Sequence, residues 1–317
     1  MRKSTLATLL AASAFVTPQA FACSACGCTL NSDWASQGLA ASGGWRFDLR
    51  YDFFEQDDLY SGTDKVSRSS IALPADQEVQ QYTINRNATL SLDYSPNKDW
   101  GVNFTLPYYD RGHATIAEGD TEISTSQDSG VGDLRIVGRY SGLGAQRSTG
   151  ILFGVKLPTG HFTDTFESGP QQGEIVDRGL QLGSGTVDAI LGAYHFGAWS
   201  PQWSYFVQGY VQQALDSREG FKPGLNGNAN FGVRYNVSDT FVPQLQLNAH
   251  VEKREQGING DVDNSGATQL YLSPGFTWNF SRRLAGFAFV QVPLYQRVNG
   301  LQLEATQFAS LGLHYHF

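Results

Sequence analysis

From residue 44 onward, apolar and polar side chains alternate with a period of two, the pattern of strands that turn one face to an apolar medium and the other to water. Trp45, Phe47, Leu49, Tyr51 and Phe53 share one face, and Arg46, Asp48, Arg50 and Asp52 the other. Tyr82, Ile84, Ala88, Leu90, Leu92 and Tyr94 repeat the pattern, as do Trp100, Val102, Phe104, Leu106 and Tyr108 beyond the turn residues Ser95, Pro96, Asn97 and Lys98. Helical spacing fits none of these runs. Further strands are predicted at 131–140, 149–157, 186–196, 203–213, 228–237, 241–251, 268–280, 284–295 and 303–317, which makes twelve.

The links between strands carry a second pattern. Long polar links at 55–80, 111–130, 158–185, 214–227 and 252–267 alternate with short ones at 95–98, 141–148, 197–202, 238–240 and 281–283, and only the link at Asn299 and Gly300 departs from the alternation. A soluble sandwich has no reason for such asymmetry, whereas a transmembrane barrel has short periplasmic turns, long outer loops and an even strand number. Strands of about 10 residues cross a bilayer at a tilt, and closure removes the edges that lipid would not tolerate. The predicted fold is all-β: a 12-stranded antiparallel transmembrane β-barrel over 44–317, with a short N-terminal periplasmic segment at 23–43. The last strand adds to this. Leu311, Leu313, Tyr315 and Phe317 alternate with Gly312, His314 and His316, which resembles the terminal assembly signal of bacterial outer-membrane barrels. The expected partners are outer-membrane lipid and lipopolysaccharide, the barrel assembly machinery and a small solute.

Composition narrows the alternatives. The chain has 317 residues with 35 Gly, 13% aromatic and 16% charged residues, a mixture that favours sheets and tight turns and disfavours disorder. No apolar run approaches the roughly 20 residues of a spanning helix. The formal charge of −8 argues against a nucleic-acid partner. Arg2 and Lys3, the apolar stretch from Leu6 to Val16, and Ala20-Phe21-Ala22 read as a signal peptide over 1–22, so that the mature chain is expected to start at Cys23 in the envelope of a Gram-negative bacterium. Lipid attachment at Cys23 is an alternative that Ala20 and Phe21 fit poorly. The long links and the brief outer link at 296–302 together carry −11, which leaves the rest of the chain after the expected signal peptide at +1. The acidity therefore belongs to the outer rim. The polar faces turn Arg46, Asp48, Arg50, Asp52, Asp93, Asp133, Arg135, Arg139, Lys156, Arg234 and Glu304 toward the lumen, where water and opposite charges offset their desolvation. Arg86 falls on the lipid-facing phase and is expected above the apolar band or at a bulge.

Four segments carry a family resemblance: Gly130-Val131-Gly132-Asp133-Leu134, Lys156-Leu157-Pro158-Thr159-Gly160, the run from Leu180 through Gly183-Ser184-Gly185 to Asp188, and Val292-Pro293-Leu294-Tyr295-Gln296 with Val298-Asn299-Gly300. They resemble the outer-membrane transporter family labelled meta-pathway of phenol degradation, over roughly residues 80–317. The resemblance implies an outer-membrane location and a passage for small, hydrophobic molecules. Nothing in this sequence singles out an aromatic-binding site, so phenol is not carried over as the ligand.

Candidate chemistry is sparse. Cys23, Cys26 and Cys28 place three thiols within six residues, able to share a soft ion such as copper or zinc, or to form one local disulfide with a spare thiol. The absence of a CxxCH run speaks against covalent haem. Asn31 or Asp33 is expected to cap a short helix in a periplasmic arm or plug. The run from Asp261 to Gly266 resembles half a calcium loop, but Leu272 stands where the bidentate acid belongs, which favours a plain acidic turn. His113, His161, His195 and His250 are the histidines to test for a hydrolase site, although no G-x-S-x-G run is present, and Asp57 and Asp58 read as solvated loop charges. The sequence supports a non-enzymatic channel for passive passage of small solutes, in which the acidic rim concentrates cations and mixed luminal charges set the constriction. The alternative is a metal-binding or redox accessory barrel that uses the three thiols.

Overall fold

The computed structural model describes residues 29–39, 43–144 and 146–317. The expected signal peptide and Cys23, Cys26 and Cys28 lie outside the described residues.

Fourteen strands form among the described residues: β1 (Gly44–Ser61), β2 (Asp64–Lys65), β3 (Val79–Ser95), β4 (Trp100–Ile116), β5 (Ser124–Val131), β6 (Leu134–Tyr140), β7 (Thr149–Leu157), β8 (Asp188–Ala198), β9 (Trp203–Ala214), β10 (Asn226–Tyr235), β11 (Phe241–Glu252), β12 (Ala267–Asn279), β13 (Leu284–Val298) and β14 (Leu301–His316). Twelve are staves of one antiparallel barrel. It closes where β14 pairs with β1, from Arg46↔His316 to Ser61↔Leu301, so no stave is left as an edge. The other two are additions: β2 folds back on β1, and β5 pairs with β4 as the outer continuation of β6. The stave predicted at 131–140 is thus divided. Its two halves meet β4 at Tyr108↔Val131 and Thr105↔Arg135, with Gly132 and Asp133 bulged out between them.

Alternation becomes burial. Trp45, Leu49, Tyr51 and Phe53 of β1 are exposed on the outer surface, while Arg46 and Asp52 are buried inside. Leu90, Phe104, Phe153, Leu191, Val207, Phe231, Leu245 and Val290 continue the exposed apolar belt around the barrel. In water such a belt would be costly; in a bilayer it is the contact surface, because the closed sheet pairs its backbone groups strand to strand. Beside the short links the belt ends in paired rings: Trp45–Tyr94, Trp100–Tyr140 and Trp203–Tyr235, with centroids 4.4, 4.7 and 4.6 Å apart. These form the aromatic girdle of a membrane interface.

Three staves are taller than the periodicity predicts. β1, β3 and β4 run 18, 17 and 17 residues, so much of 55–80 and 111–130 is not loop but strand rising beyond the bilayer. Above the membrane apolar and polar residues are buried together, Leu59, Val79 and Ile116 with Leu301 and Leu303 on one side and Gln56, Gln80 and Thr115 on the other, and the period-two signal fades although pairing continues. Arg86 sits at that transition on the outer face, 3.6 Å from Asp110 of β4.

Candidate functional site in the lumen

The inward-facing charges gather into separate clusters. Near the short-link end, Arg139 Nη1 lies 2.9 Å from Asp93 Oδ2, Arg46 Nη2 contacts Asp93 Oδ1, and both arginines donate to Ser95 Oγ. Asp48 contacts His314 Nδ1. Farther up, Arg50 Nε donates to Asp52 Oδ2 at 2.7 Å, and Asp52 accepts from Ser310 at 2.6 Å. On the opposite wall, Lys156 Nζ stands between Asp133 Oδ2 at 3.2 Å and Asp188 Oδ2 at 3.0 Å. Arg135 donates to Gln212 Oε1 at 2.5 Å. Arg234 lies over the Phe206 ring, 5.5 Å from its centroid, and contacts Gln37 O. Glu304 is also buried, but at the outer end of β14, where Gln269 and Gln296 donate to it at 2.7–2.9 Å.

Residues 29–39 enter this space from the short-link end and plug it. Asn31 and Asp33 cap a turn at 34–38, not a helix: Asn31 Oδ1 accepts from Asp33 N, and Asp33 Oδ1 from Ala35 N. The wall holds the plug on several sides. Thr29 Oγ1 donates to Gln291, Asn230 donates to Thr29 O, Ser36 Oγ donates to Gln208, Gln246 donates to Asn31 O, and Arg50 donates to Ser32 Oγ. Trp34 packs on His314, ring centroids 4.0 Å apart, and Leu30 is buried with Phe287 and Phe289. At Gly38 (φ +77°) a Cβ would fall 2.4 Å from the Phe196 ring, so this bend of the plug accepts only glycine.

Two cavities lie against the plug and above it. The lower, of about 230 Å³, is bounded by Thr29–Asp33 of the plug and by Val137, Arg139, Leu152, Ile190 and Phe287 of the wall. The upper, of about 330 Å³, reaches Arg111, Lys156, Arg178 and Glu252 beneath the outer loops. The loop from 158 to 187 folds over the barrel and is stapled at Asp133, which accepts from Gly160 N and Ser184 N, both at 3.0 Å.

The outer loops bury an acidic cluster. Glu78, Asp177 and Glu255 are each 4% exposed and Asp261 1%. Burial, before any charge effect, pushes the Asp177 carboxyl well above the usual range, and Glu255, Asp261 and Glu78 add to it. Burial likewise pushes Asp261 up to about 7. Asp261 Oδ1 is spent on Asp263 N and Asn264 N, and Asn264 Oδ1 on Leu301 N, so these two oxygens of the half calcium loop serve its own turn and the neighbouring strand, while Asp261 Oδ2 is buried without a hydrogen-bond partner. Among the described residues no group of three His, Cys, Asp or Glu side chains is placed to hold a metal ion. Of the four candidate histidines, His113 faces Thr83 and Glu78, His161 faces Thr163 and Asp164, His195 faces Thr149 and Tyr205, and His250 faces Asn228 and Glu252. Their hydroxyl partners are threonines and a tyrosine, with no serine nucleophile among them.

Sequence reasoning missed the apolar residues that face inward. Leu152 and Ile190 line the lower cavity, Phe287 and Phe289 receive the plug, and Phe54, Tyr271 and Phe308 form a buried cluster inside the wall. Where both faces of a strand are apolar, alternation gives no phase. Val155-Lys156 and Val187-Asp188 held the available signal, since fixing those charges inward also fixes Leu152 and Ile190 inward.

A closed antiparallel barrel with an apolar belt, an aromatic girdle and a charged interior is an outer-membrane β-barrel, integral to that membrane. Among solved structures, the fold matches the COG4313 outer membrane channel from Pseudomonas putida F1 with a TM-score of 0.63 and 17% identity, over 87% of this chain and 96% of that one. The CymD monoaromatic hydrocarbon channel is more distant, with a TM-score of 0.48 and 10% identity over 88% and 90% of the two chains. The Pseudomonas putida toluene transporter TodX gives 0.47 and 10% over 95% and 96%. No family model matches the chain, so the resemblance to the meta-pathway family has no such support. No curated protein matches it either.

Proposed function

We propose that this protein is an outer-membrane channel for passive passage of small solutes, closed toward the periplasm by residues 29–39. The stacked cavities carry this reading: a polar, partly open lumen runs from beneath the outer loops down to the plug, and the plug is held mainly by side-chain hydrogen bonds that water can replace. The Pseudomonas putida F1 protein of like fold is itself an outer membrane channel, which supports the assignment. Osmotic swelling of liposomes tests it. A variant with 29–39 replaced by a short Gly-Ser link should admit small solutes several-fold faster than the wild type, and no swelling with either protein would contradict a channel.

The thiols supply a second reading. Cys23, Cys26 and Cys28 precede the plug in the sequence, and three thiols within six residues suit a soft cation such as copper or zinc. Cu(I) or Zn²⁺ binding that a triple Cys→Ser variant retains unchanged would remove that reading.

A further inference from the structure

Five residues line both cavities and so form the waist between them: Arg50, Thr89, Thr105, Arg135 and Tyr210. The two arginines are placed differently. Arg50 has its carboxylate in Asp52 and its plug contacts in Ser32 and Leu30 O. Arg135 has no carboxylate within 4 Å among the described residues. The neighbouring acids, Asp133 and Asp188, are both taken by Lys156, which stands opposite Arg135 on the next strand. Arg135 meets neutral groups instead: Gln212 Oε1 at 2.5 Å and the Tyr210 hydroxyl. Gln212 is fixed in this role, because its amide nitrogen donates to Asp188 Oδ2 at 2.6 Å and its carbonyl is thereby turned to the guanidinium.

A guanidinium has five N–H donors in a planar fork that matches a carboxylate, and a charge held away from bulk water is costly until a counter-charge meets it. Below the waist the wall changes character. Val137, Leu152 and Ile190 present an apolar patch to the lower cavity, opposite Leu30 of the plug and Phe287. A polar head at the waist and an apolar body beneath it are thus accommodated side by side, in about 230 Å³.

We infer that Arg135 recognises the anionic head of a small organic monoanion, a carboxylate with an apolar body, and that Val137, Leu152 and Ile190 receive that body. The inference rests on the channel reading for its physiological use, but binding at the waist needs no flux. The hydroxyls of Thr89 and Tyr210 complete the donor set, and Lys156 stands between Asp133 and Asp188, the two acids beside Arg135.

Calorimetric titration of the full chain in detergent with butyrate, 1-butanol and butylammonium tests this, beside Arg135→Gln, Arg135→Lys and the outer-loop control Arg218→Gln. Wild type and Arg218→Gln should bind butyrate at least ten-fold more tightly than either of the other two. Arg135→Gln should lose at least ten-fold in butyrate affinity, and Arg135→Lys should recover part of it. Heat-dependent gel mobility reports whether each variant is folded. Should Arg135→Gln not fold, the three probes on the wild type still decide. Equal binding of butyrate and butylammonium, or unchanged butyrate binding by folded Arg135→Gln, overturns the inference. Butyrate binding without liposome swelling would contradict the channel and leave the site standing, whereas swelling with no preference for the anion would do the reverse.

Discussion

Gly160 and Gly183 touch backbone to backbone: a Cβ on Gly160 would fall 2.7 Å from the Gly183 Cα. That contact lets Asp133 reach Gly160 N and Ser184 N at once, while Lys156 ties Asp133 to Asp188. Three of the segments that looked familiar in the sequence therefore meet at one staple, which fixes the loop 158–187 over the lumen. Their glycines were legible as punctuation, but not as partners, because the pair is brought together only by closure of the loop. Replacing Lys156 with Met leaves two buried carboxylates facing each other and should cost about 3–5 kcal/mol. Urea titration followed by heat-dependent gel mobility measures that loss, and a midpoint equal to the wild type would contradict the staple. The inward placement of Arg46, Asp52, Asp133 and Lys156 was readable because each alternates with outward apolar residues. Tyr271 and Phe308 were not, since they alternate with residues that are themselves apolar or neutral, and Phe54 lies between Phe53 and Glu55, which point to opposite phases.

At the level of elements, period two located all twelve staves, and it failed where the surroundings stop being two-sided. β1, β3 and β4 continue above the bilayer with Gln56, Gln80, Asn85, Arg111 and Thr115 buried inside, a polar run that reads as loop. The plug was legible only as a capped short helix in a periplasmic arm or plug, and it forms a turn. Apart from Arg50, its wall partners in Gln208, Asn230, Gln246 and Gln291 lie 172 to 262 residues away along the chain, and a polar stretch of eleven residues carries no periodicity that points to them. The outer loops make a testable element of their own. Asp261 is pushed up to about 7 by burial, with the Glu78 charge adding to it. The folded loop therefore favours the protonated acid. Its contribution to loop packing is full below the unfolded value near 4 and is lost as pH rises through about 7. Hydrogen exchange at 253–266, corrected for intrinsic rate, should accelerate between pH 5 and pH 8, and Asp261→Asn should flatten the dependence. An Asn variant that keeps the wild-type pH profile would assign the effect to another group.

Over the whole molecule the formal charge of −8 conceals a division between an acidic outer face and a nearly neutral barrel. The structure tempers that division. Glu78, Asp177, Glu255 and Asp261 are withdrawn beneath the loops, and the two whose carboxyls are pushed up, Asp177 and Asp261, carry less than their formal charge near neutrality, so the field at the mouth is weaker than the count of acids implies. Within the lumen Asp93, Asp52, Asp133 and Asp188 lie against Arg46, Arg139, Arg50 and Lys156, whereas Arg135 at the waist and Arg234 beside the plug meet no carboxylate within 4 Å among the described residues. Barrel, loops and plug then describe one device: a membrane-spanning wall, a covered mouth and a floor made by residues 29–39. Single-channel recording in planar bilayers tests that description most directly, with wild type beside the variant in which a Gly-Ser link replaces 29–39. The account predicts small or rare conductance steps for the wild type and larger, sustained ones for the variant. Equal conductance from the two proteins, or none from the variant, would contradict it.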